Sequence, residues 1–101
     1  MNVIKQRNGT SMTVALEGRL DTMTAPKVEE ELHSGTDAID NITDLTLDMS
    51  KLEYISSAGL RVLLSVCKLM RKQGSMKVTN VNEAVQEVLD VTGFSDILTI
   101  C

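Results

Sequence analysis

The stretch that decides the fold of this chain is LTLDMSKLEYISSAGLRVLLSVCKLMRKQG, residues 45–74. Apolar and polar residues alternate over 45–49, which predicts a half-buried strand. A connection over residues 50–55 then leads to two serines. Over residues 58–73 apolar side chains recur at the spacing of one helix face, formed by Leu60, Leu63, Leu64, Cys67 and Met70. A strand followed by a helix of this length is typical of an α/β domain.

Two strands and a helix are predicted before this stretch. Residues 3–7 and 12–18 have the composition of short strands, and the Asn-Gly dipeptide at 8–9 favours a tight hairpin turn between them, because both of its residues tolerate positive φ. Thr24 is the expected N-cap of the helix that follows, and Pro26 suits its first turn, where a missing N–H costs no hydrogen bond. Four-residue spacing gives this helix its buried residues, Val28 and Leu32.

A strand, a helix and a last strand are predicted after it. Residues 75–79 form the strand, Asn80 or Asn82 caps the helix, and residues 97–100 form the last strand. The predicted order is β-β-α-β-α-β-α-β in one domain over residues 1–101, which implies a small α/β fold with a mixed, mostly parallel sheet. The core is expected to bury Leu45, Leu47, Leu60, Leu63, Leu64, Val85 and Leu89.

The composition excludes several classes of function. The chain of 101 residues has a formal net charge of −4, and only 2% of its residues are aromatic, so it offers neither the basic surface nor the stacking platforms of nucleic-acid binding. A single histidine, His33, and two distant cysteines, Cys67 and Cys101, argue against a zinc site, a disulfide and triad chemistry. Apolar runs are too short to span a membrane and the N-terminus does not resemble a signal peptide, so a cytoplasmic protein is expected.

Motifs for enzyme chemistry are also missing from the sequence. It contains no phosphate-binding loop, dinucleotide fingerprint or hydrolase nucleophile elbow, so those three kinds of site are not predicted, no cofactor is expected, and an enzyme is the least favoured class of function. The carboxylates between residues 37 and 48 are spaced irregularly, so we expect them to solvate a loop and a strand end rather than to hold a metal ion. They are Asp37, Asp40, Asp44 and Asp48.

The central helix carries a basic stripe along its surface, formed by Arg61, Lys68 and Lys72. These residues favour a solvated face that complements the negative end of the helix dipole, with a partner patch as the alternative. Gly74 follows this helix where a left-handed cap is expected, and Gly93 closes the next helix.

Two adjacent serines, Ser56 and Ser57, precede the central helix. Taken alone, they favour helix capping, since a serine oxygen there accepts a hydrogen bond from an unpaired backbone N–H and contributes ~1 kcal/mol. The alternative is that one hydroxyl is offered to a partner enzyme. A phosphoryl group at this position would meet backbone N–H groups and the positive end of the helix.

Three motifs occur in order along the chain. They are GRLDTMTA at residues 18–25, then DMS, LEYI and SSAGLRVLL within residues 48–64, and VQEVLDVTGF at residues 85–94. Together they resemble the STAS domain family, and specifically the bacterial anti-sigma factor antagonists. The resemblance covers nearly the whole chain, and it implies a small α/β fold and a regulatory protein that acts by binding.

The resemblance also implies a phosphorylation switch. Members of this family are phosphorylated on a serine at the start of the second helix by an anti-sigma factor that is also an ATP-dependent serine kinase, and a metal-dependent serine phosphatase reverses the modification. The unphosphorylated form captures the anti-sigma factor and so frees a sigma factor for transcription. By its position in the motif Ser57 is similar to the modified serine. Many members carry Asp immediately before the modified serine, whereas this chain has a second serine there, Ser56. Ser56 is therefore the alternative.

The same resemblance suggests a partner surface. Asp21 matches an acidic residue of the first motif that lies close to the serine loop. Two other functions stay open for such a fold: an accessory STAS protein of a lipid or anion transport system, and a module that senses a small ligand or a nucleotide. The oligomeric state is also open. The residues expected to contact the partner are Asp21, Thr22, Ser56, Ser57, Gly59 and Arg61.

Overall fold

Five strands and three helices make up most of the part of the chain that the structure describes. The computed structural model describes residues 2–33 and 39–96, and none of its helices there is long and apolar enough to cross a membrane. Short 3-10 turns lie at Ile39–Asn41 and Phe94–Asp96. The main elements are β1 (Asn2–Asn8), β2 (Ser11–Leu20), α1 (Ala25–His33), β3 (Asp44–Asp48), β4 (Leu52–Ile55), α2 (Ser57–Gln73), β5 (Ser75–Thr79) and α3 (Glu83–Thr92).

The strands form a mixed sheet in which most pairs are parallel. β1 and β2 form an antiparallel hairpin, β3 runs parallel to β2, and β5 runs parallel to β3. β4 also runs parallel to β2. This architecture confirms the α/β fold that the alternation of strands and helices predicts. The strand predicted over residues 97–100 lies outside the described residues.

The segment predicted as a connection, residues 50–55, contains the strand β4. Only four residues long, this strand buries its two apolar ends and exposes Glu53 and Tyr54 between them, so it lacks the alternation that marks a strand. Its pairing with β2 also shifts register between Gly18 and Arg19. A short strand with an irregular pairing leaves no periodic signal in the sequence, and the prediction of a connection is therefore wrong here.

One face of the sheet carries the helices. Alternate residues of β2 are buried along most of its length, and both leucines of β3 are fully buried beside them. Helices α1, α2 and α3 each add buried apolar side chains to the same core. Because burial follows the predicted periods, most of the expected core is confirmed: Leu45, Leu47, Leu60, Leu63, Val85 and Leu89.

Leu64 is the exception among the predicted core residues. It is only half-buried, whereas Val62 and Val66 of the same helix are buried. Successive helix residues are about 100° apart around the axis, so a position next to Leu63 lies at the edge of the buried side. The buried face of α2 is therefore rotated slightly about the helix axis relative to the predicted face.

Gly74 follows α2 at a point where the backbone passes close to Thr43, and it does not form a left-handed turn. Its φ of 172° is extended backbone, so the predicted left-handed cap is wrong at this position. A Cβ atom on residue 74 would lie 1.9 Å from the carbonyl oxygen of Thr43, to which Ser75 N–H donates at 2.9 Å. Glycine is needed because the chain passes directly against Thr43 as it enters β5. By contrast, α3 has its predicted caps, with Asn82 before it and Gly93 at a φ of 81° after it.

Candidate partner-binding site

The predicted site residues gather where β2 and β4 end and α2 begins. The backbone N–H of Ser56 donates to the carbonyl of Leu20 at 2.9 Å, which joins the end of β2 directly to the residue before α2. The carboxyl ends of parallel strands meet at one edge of a sheet, where open α/β sheets place their binding sites. The loop after β2, residues 21–24, and the first turn of α2 therefore lie side by side.

Gly59 lets α2 approach this strand end closely. It is buried, and a Cβ atom on it would lie 2.7 Å from Cγ of Leu20 and 2.9 Å from Cγ1 of Ile55. Side chains cannot be that close without displacing one another. Gly59 thus contributes to the site by packing, since it holds the first turn of α2 against the end of β2.

The two serines have different environments. Ser56 is the N-cap of α2, with an extended backbone, and its Oγ accepts a hydrogen bond from the N–H of Gly59 at 3.4 Å. Ser56 is half-buried, whereas Ser57, the first residue of α2, is exposed. The capping interpretation applies to Ser56, and the Ser57 hydroxyl is the one that another protein can reach.

Asp21 accepts hydrogen bonds from the backbone of its own loop. Its Oδ1 accepts hydrogen bonds from the N–H groups of Thr24 at 3.1 Å and Met23 at 2.9 Å. These bonds hold the pKa of the Asp21 carboxyl below its ordinary value, and the bond from Thr24 has the largest effect. Partial removal of the carboxyl from water acts in the opposite direction and raises the pKa. The Arg19 guanidinium, with Nε 4.0 Å from Oδ2, also lowers this pKa. Asp21 is therefore a negative charge beside the start of α2 at neutral pH.

The hydroxyl of Thr24 fixes the shape of the same loop. It accepts a hydrogen bond from the N–H of Asp21 at 2.8 Å and donates one to the carbonyl of Arg19 at 2.8 Å. Thr24 immediately precedes α1, so this hydroxyl ties the start of the helix back to β2. Thr22 and Met23 are left exposed on the tied loop, and Met23 is 86% exposed. The methionine is an apolar contact point that the sequence analysis missed, since no periodic pattern marks it.

A shallow groove between α1 and α2 begins at this loop. It brings Thr22 and Arg61, two of the predicted partner residues, to one surface, and it includes Ala58, the neighbour of Ser57. Its lining is largely apolar and includes one acid and one base. The cavity of about 340 Å³ is lined by Thr22, Ala25, Pro26, Glu29, Ala58, Arg61 and Val62.

A second contact that the sequence analysis missed joins β2 to β4. The guanidinium carbon of Arg19 lies 4.4 Å from the ring centroid of Tyr54, and the two residues are register partners in the sheet. Tyr54 is 40% exposed. Tyrosine and arginine are enriched among the residues that dominate protein interfaces. The pairing of β4 with β2 would have revealed this contact, but β4 has no sequence signal.

The groups available at the site are a serine hydroxyl, a carboxylate, an exposed methionine and a shallow apolar groove. Polar groups around an apolar centre are the usual composition of a surface that binds another protein. Within the described residues, no three His, Cys, Asp or Glu side chains are grouped so that they could hold a metal ion. Cys67 is buried and free in that part of the chain, and Cys101 lies outside it.

Comparison with known proteins decides the family. A family model described as the STAS domain matches residues 2–101. The chain belongs to the STAS domain family. This STAS protein is 31% identical over 101 residues to the anti-sigma-B factor antagonist of Bacillus subtilis, with 99% of this chain and 90% of the relative covered. It is also 31% identical over 90 residues to the anti-sigma F factor antagonist of Paenibacillus polymyxa, with 88% of this chain and 76% of the relative covered.

A solved structure shows the same fold. The crystal structure of an anti-sigma factor antagonist from Mycobacterium paratuberculosis superposes with a TM-score of 0.85 at 22% identity, covering 98% of this chain and 83% of that one. At this identity the likeness concerns the fold alone. The family resemblance of the three motifs and the predicted α/β architecture are thus both confirmed.

Proposed function

We propose that this STAS protein is an anti-sigma factor antagonist whose capture of its partner is switched off by phosphorylation of Ser57. In its unphosphorylated form it binds an anti-sigma factor that is also a serine kinase, and this binding frees a sigma factor for transcription. The names of its relatives support the first part of the proposal. The observation that carries the second part is the exposed Ser57 hydroxyl at the start of α2, beside the charged loop of Asp21.

The switch is a phosphoryl transfer from ATP. Oγ of Ser57 attacks the γ-phosphorus, the bond from that phosphorus to the β,γ-bridging oxygen breaks, and ADP leaves while the hydroxyl proton passes to a base of the kinase. A metal-dependent serine phosphatase restores the hydroxyl by hydrolysis and releases inorganic phosphate. The STAS protein supplies only the serine, so its own role is binding, in the cytoplasm where bacterial transcription takes place.

Accessibility favours Ser57 over Ser56 as the modified residue. A phosphate on Ser56 would sit on a half-buried oxygen that already accepts the N–H of Gly59. Ser57 is exposed and opens a helix of 17 residues, whose unpaired N–H groups and positive end favour a phosphate. Phosphorylation of Ser57 therefore needs no movement of the backbone.

The added charge explains how modification would stop capture. A phosphoserine carries about −1.5 to −2 charges at neutral pH. On Ser57 it would add to the negative charge of Asp21 and repel an acidic partner surface. It would also occupy the space in front of the groove, which the partner must enter to reach Thr22 and Arg61.

Matched serine variants test the proposal. The wild type, Ser57→Ala and Ser56→Ala are each incubated with ATP and the serine-kinase anti-sigma factor of the same organism, and mass spectrometry locates the phosphate. We expect stoichiometric phosphorylation of the wild type and of Ser56→Ala. Ser57→Ala should stay unmodified and should still bind the kinase, because its contact surface is otherwise intact.

Two results would contradict this expectation. If Ser57→Ala is phosphorylated and Ser56→Ala is not, the switch belongs to Ser56. If neither substitution alters phosphorylation or binding, the start of α2 is not the switch. Circular dichroism checks that each variant is folded. The check is needed because loss of a serine N-cap costs about 0.5–2 kcal/mol of stability.

A further inference from the structure

Two exposed stripes, one on α2 and one on α3, complement each other in charge and in apolar character, and we propose that they join two copies of this STAS protein. The stripes lie outside the Ser57 loop and the groove beside it, so this self-association does not depend on the proposed function. The α2 stripe is Leu64, Lys68 and Lys72, and the α3 stripe is Glu83, Glu87 and Val91.

The α3 stripe is an acidic row that ends in an exposed apolar side chain. α3 contains three acidic residues and no basic one. Glu83 and Glu87 are exposed, and Val91 is 80% exposed, with half-buried Val88 beside it. The opposite side of the helix packs into the core through its buried residues. The stripe is therefore free to meet another surface.

The α2 stripe has the opposite character. The 17 residues of α2 include no acidic side chain. Lys68 and Lys72 are exposed, and within the described residues neither of them forms an ion pair. Leu64 lies at the edge of the buried side and is half-exposed. The stripe thus offers two unpaired ammonium groups and one apolar side chain in a row.

The two stripes match when the helices run antiparallel. Each stripe consists of residues four apart, which lie one above the other along one side of a helix. A parallel arrangement would place Glu83 against Leu64 and Val91 against Lys72, which leaves charges unpaired at the contact. In the antiparallel arrangement the three facing pairs are Glu83 with Lys72, Glu87 with Lys68, and Val91 with Leu64.

A second copy is the partner because each chain carries both stripes. Within one chain, no ion pair among the described residues joins the two stripes, and Lys68, Glu87 and Val91 are all exposed. Two copies related by a two-fold axis make the contact twice, and two-fold dimers are the commonest homo-oligomers. The net charge of −4 opposes association, and exposed ion pairs each contribute little. The dimer is therefore weak and sensitive to salt.

Sedimentation equilibrium of the full chain tests the proposal. We expect the weight-average mass to rise toward that of a dimer with increasing protein concentration at about 0.05 M salt, and to rise less at about 0.5 M salt. Glu87→Lys and Lys68→Glu each place like charges opposite one another. Each should weaken dimerisation about tenfold or more, because like charges across an interface are strongly unfavourable.

Combining the two reversals is the decisive measurement. The double variant restores an acid opposite a base in both contacts, and so does an equimolar mixture of the two single variants; both should regain dimerisation. Glu53→Lys and Lys77→Glu are matched controls that make the same charge changes at exposed positions outside the stripes, and they should dimerise nearly as the wild type does.

Three results would overturn the proposal. The wild type could stay monomeric at every concentration, or the reversals at Lys68 and Glu87 could act no differently from the control reversals. The third is a folded double variant, verified by circular dichroism, that fails to regain dimerisation. Binding of the anti-sigma factor is measured separately, so loss of the dimer and failure of the proposed function are told apart.

Discussion

Ser56 and Ser57 are adjacent and chemically identical, yet their side chains have different environments in the fold. Ser56 caps α2 through its side chain, and Ser57 is exposed one residue later. The family motif predicts both serines and Asp21 as site residues, with Ser57 as the modified serine and Ser56 as the alternative. The structure adds that the backbone is extended at the half-buried Ser56 and helical at the exposed Ser57, a difference that the motif does not specify.

Asp21 leads to a prediction about pH at the same scale. Hydrogen bonds from the Thr24 and Met23 N–H groups hold its folded-state pKa below the ordinary value of 3.8. The carboxylate therefore stabilises the folded protein above that value, and the stabilisation is lost as pH falls through the lowered pKa. Asp21→Asn should be less stable than the wild type at neutral pH and should match it in strong acid, as measured by urea unfolding. A stability difference that stays constant on acidification would contradict this assignment.

At the scale of elements, periodic helices were predictable and the irregular strand was not. The helix predicted over residues 58–73 is observed as Ser57–Gln73, because a long apolar face and a serine at its start mark it. β4 is short and pairs across a register shift. The contact of Arg19 with Tyr54 depends on that pairing, so the sequence alone could not predict it either. The part of the site carried by local motifs was predictable, and the part created by distant strands was not.

Gly74 and Gly93 end two helices for different reasons, and alanine substitutions should separate them. In Gly74→Ala the new Cβ would lie 1.9 Å from the carbonyl oxygen of Thr43, so backbone must move, and we expect a loss near the upper end of ~1–3 kcal/mol. Gly93→Ala meets no atom within 4 Å but adopts a φ of 81°, which costs ~1–2 kcal/mol. Urea unfolding measures both losses. A larger loss in Gly93→Ala than in Gly74→Ala would show that Gly74 is not a close-approach position.

For the molecule as a whole, α2 carries residues of both proposed surfaces. Its first turn carries Ser57 beside the Asp21 loop, and its later turns carry Lys68 and Lys72. The core side of the same helix holds both surfaces in place against the sheet, with Gly59 fixing the first turn. Because the helix is packed along its whole length, a charge added at its start can alter one surface without moving the other.

A phosphomimetic substitution tests whether the switch acts on an unchanged fold. Ser57→Asp places a carboxylate at the first residue of α2, where the helix dipole stabilises it by ~0.3–1 kcal/mol, so its thermal unfolding temperature should not fall below that of the wild type. The same charge beside Asp21 should weaken binding of the anti-sigma factor about tenfold or more, because like charges at an interface are strongly unfavourable. Isothermal titration calorimetry measures the binding, and Ser57→Asn is the control of equal shape without the charge. Equal binding by the Asp and Asn variants would show that charge is not the basis of the switch, and a lower unfolding temperature of Ser57→Asp would assign its lost binding to the fold instead.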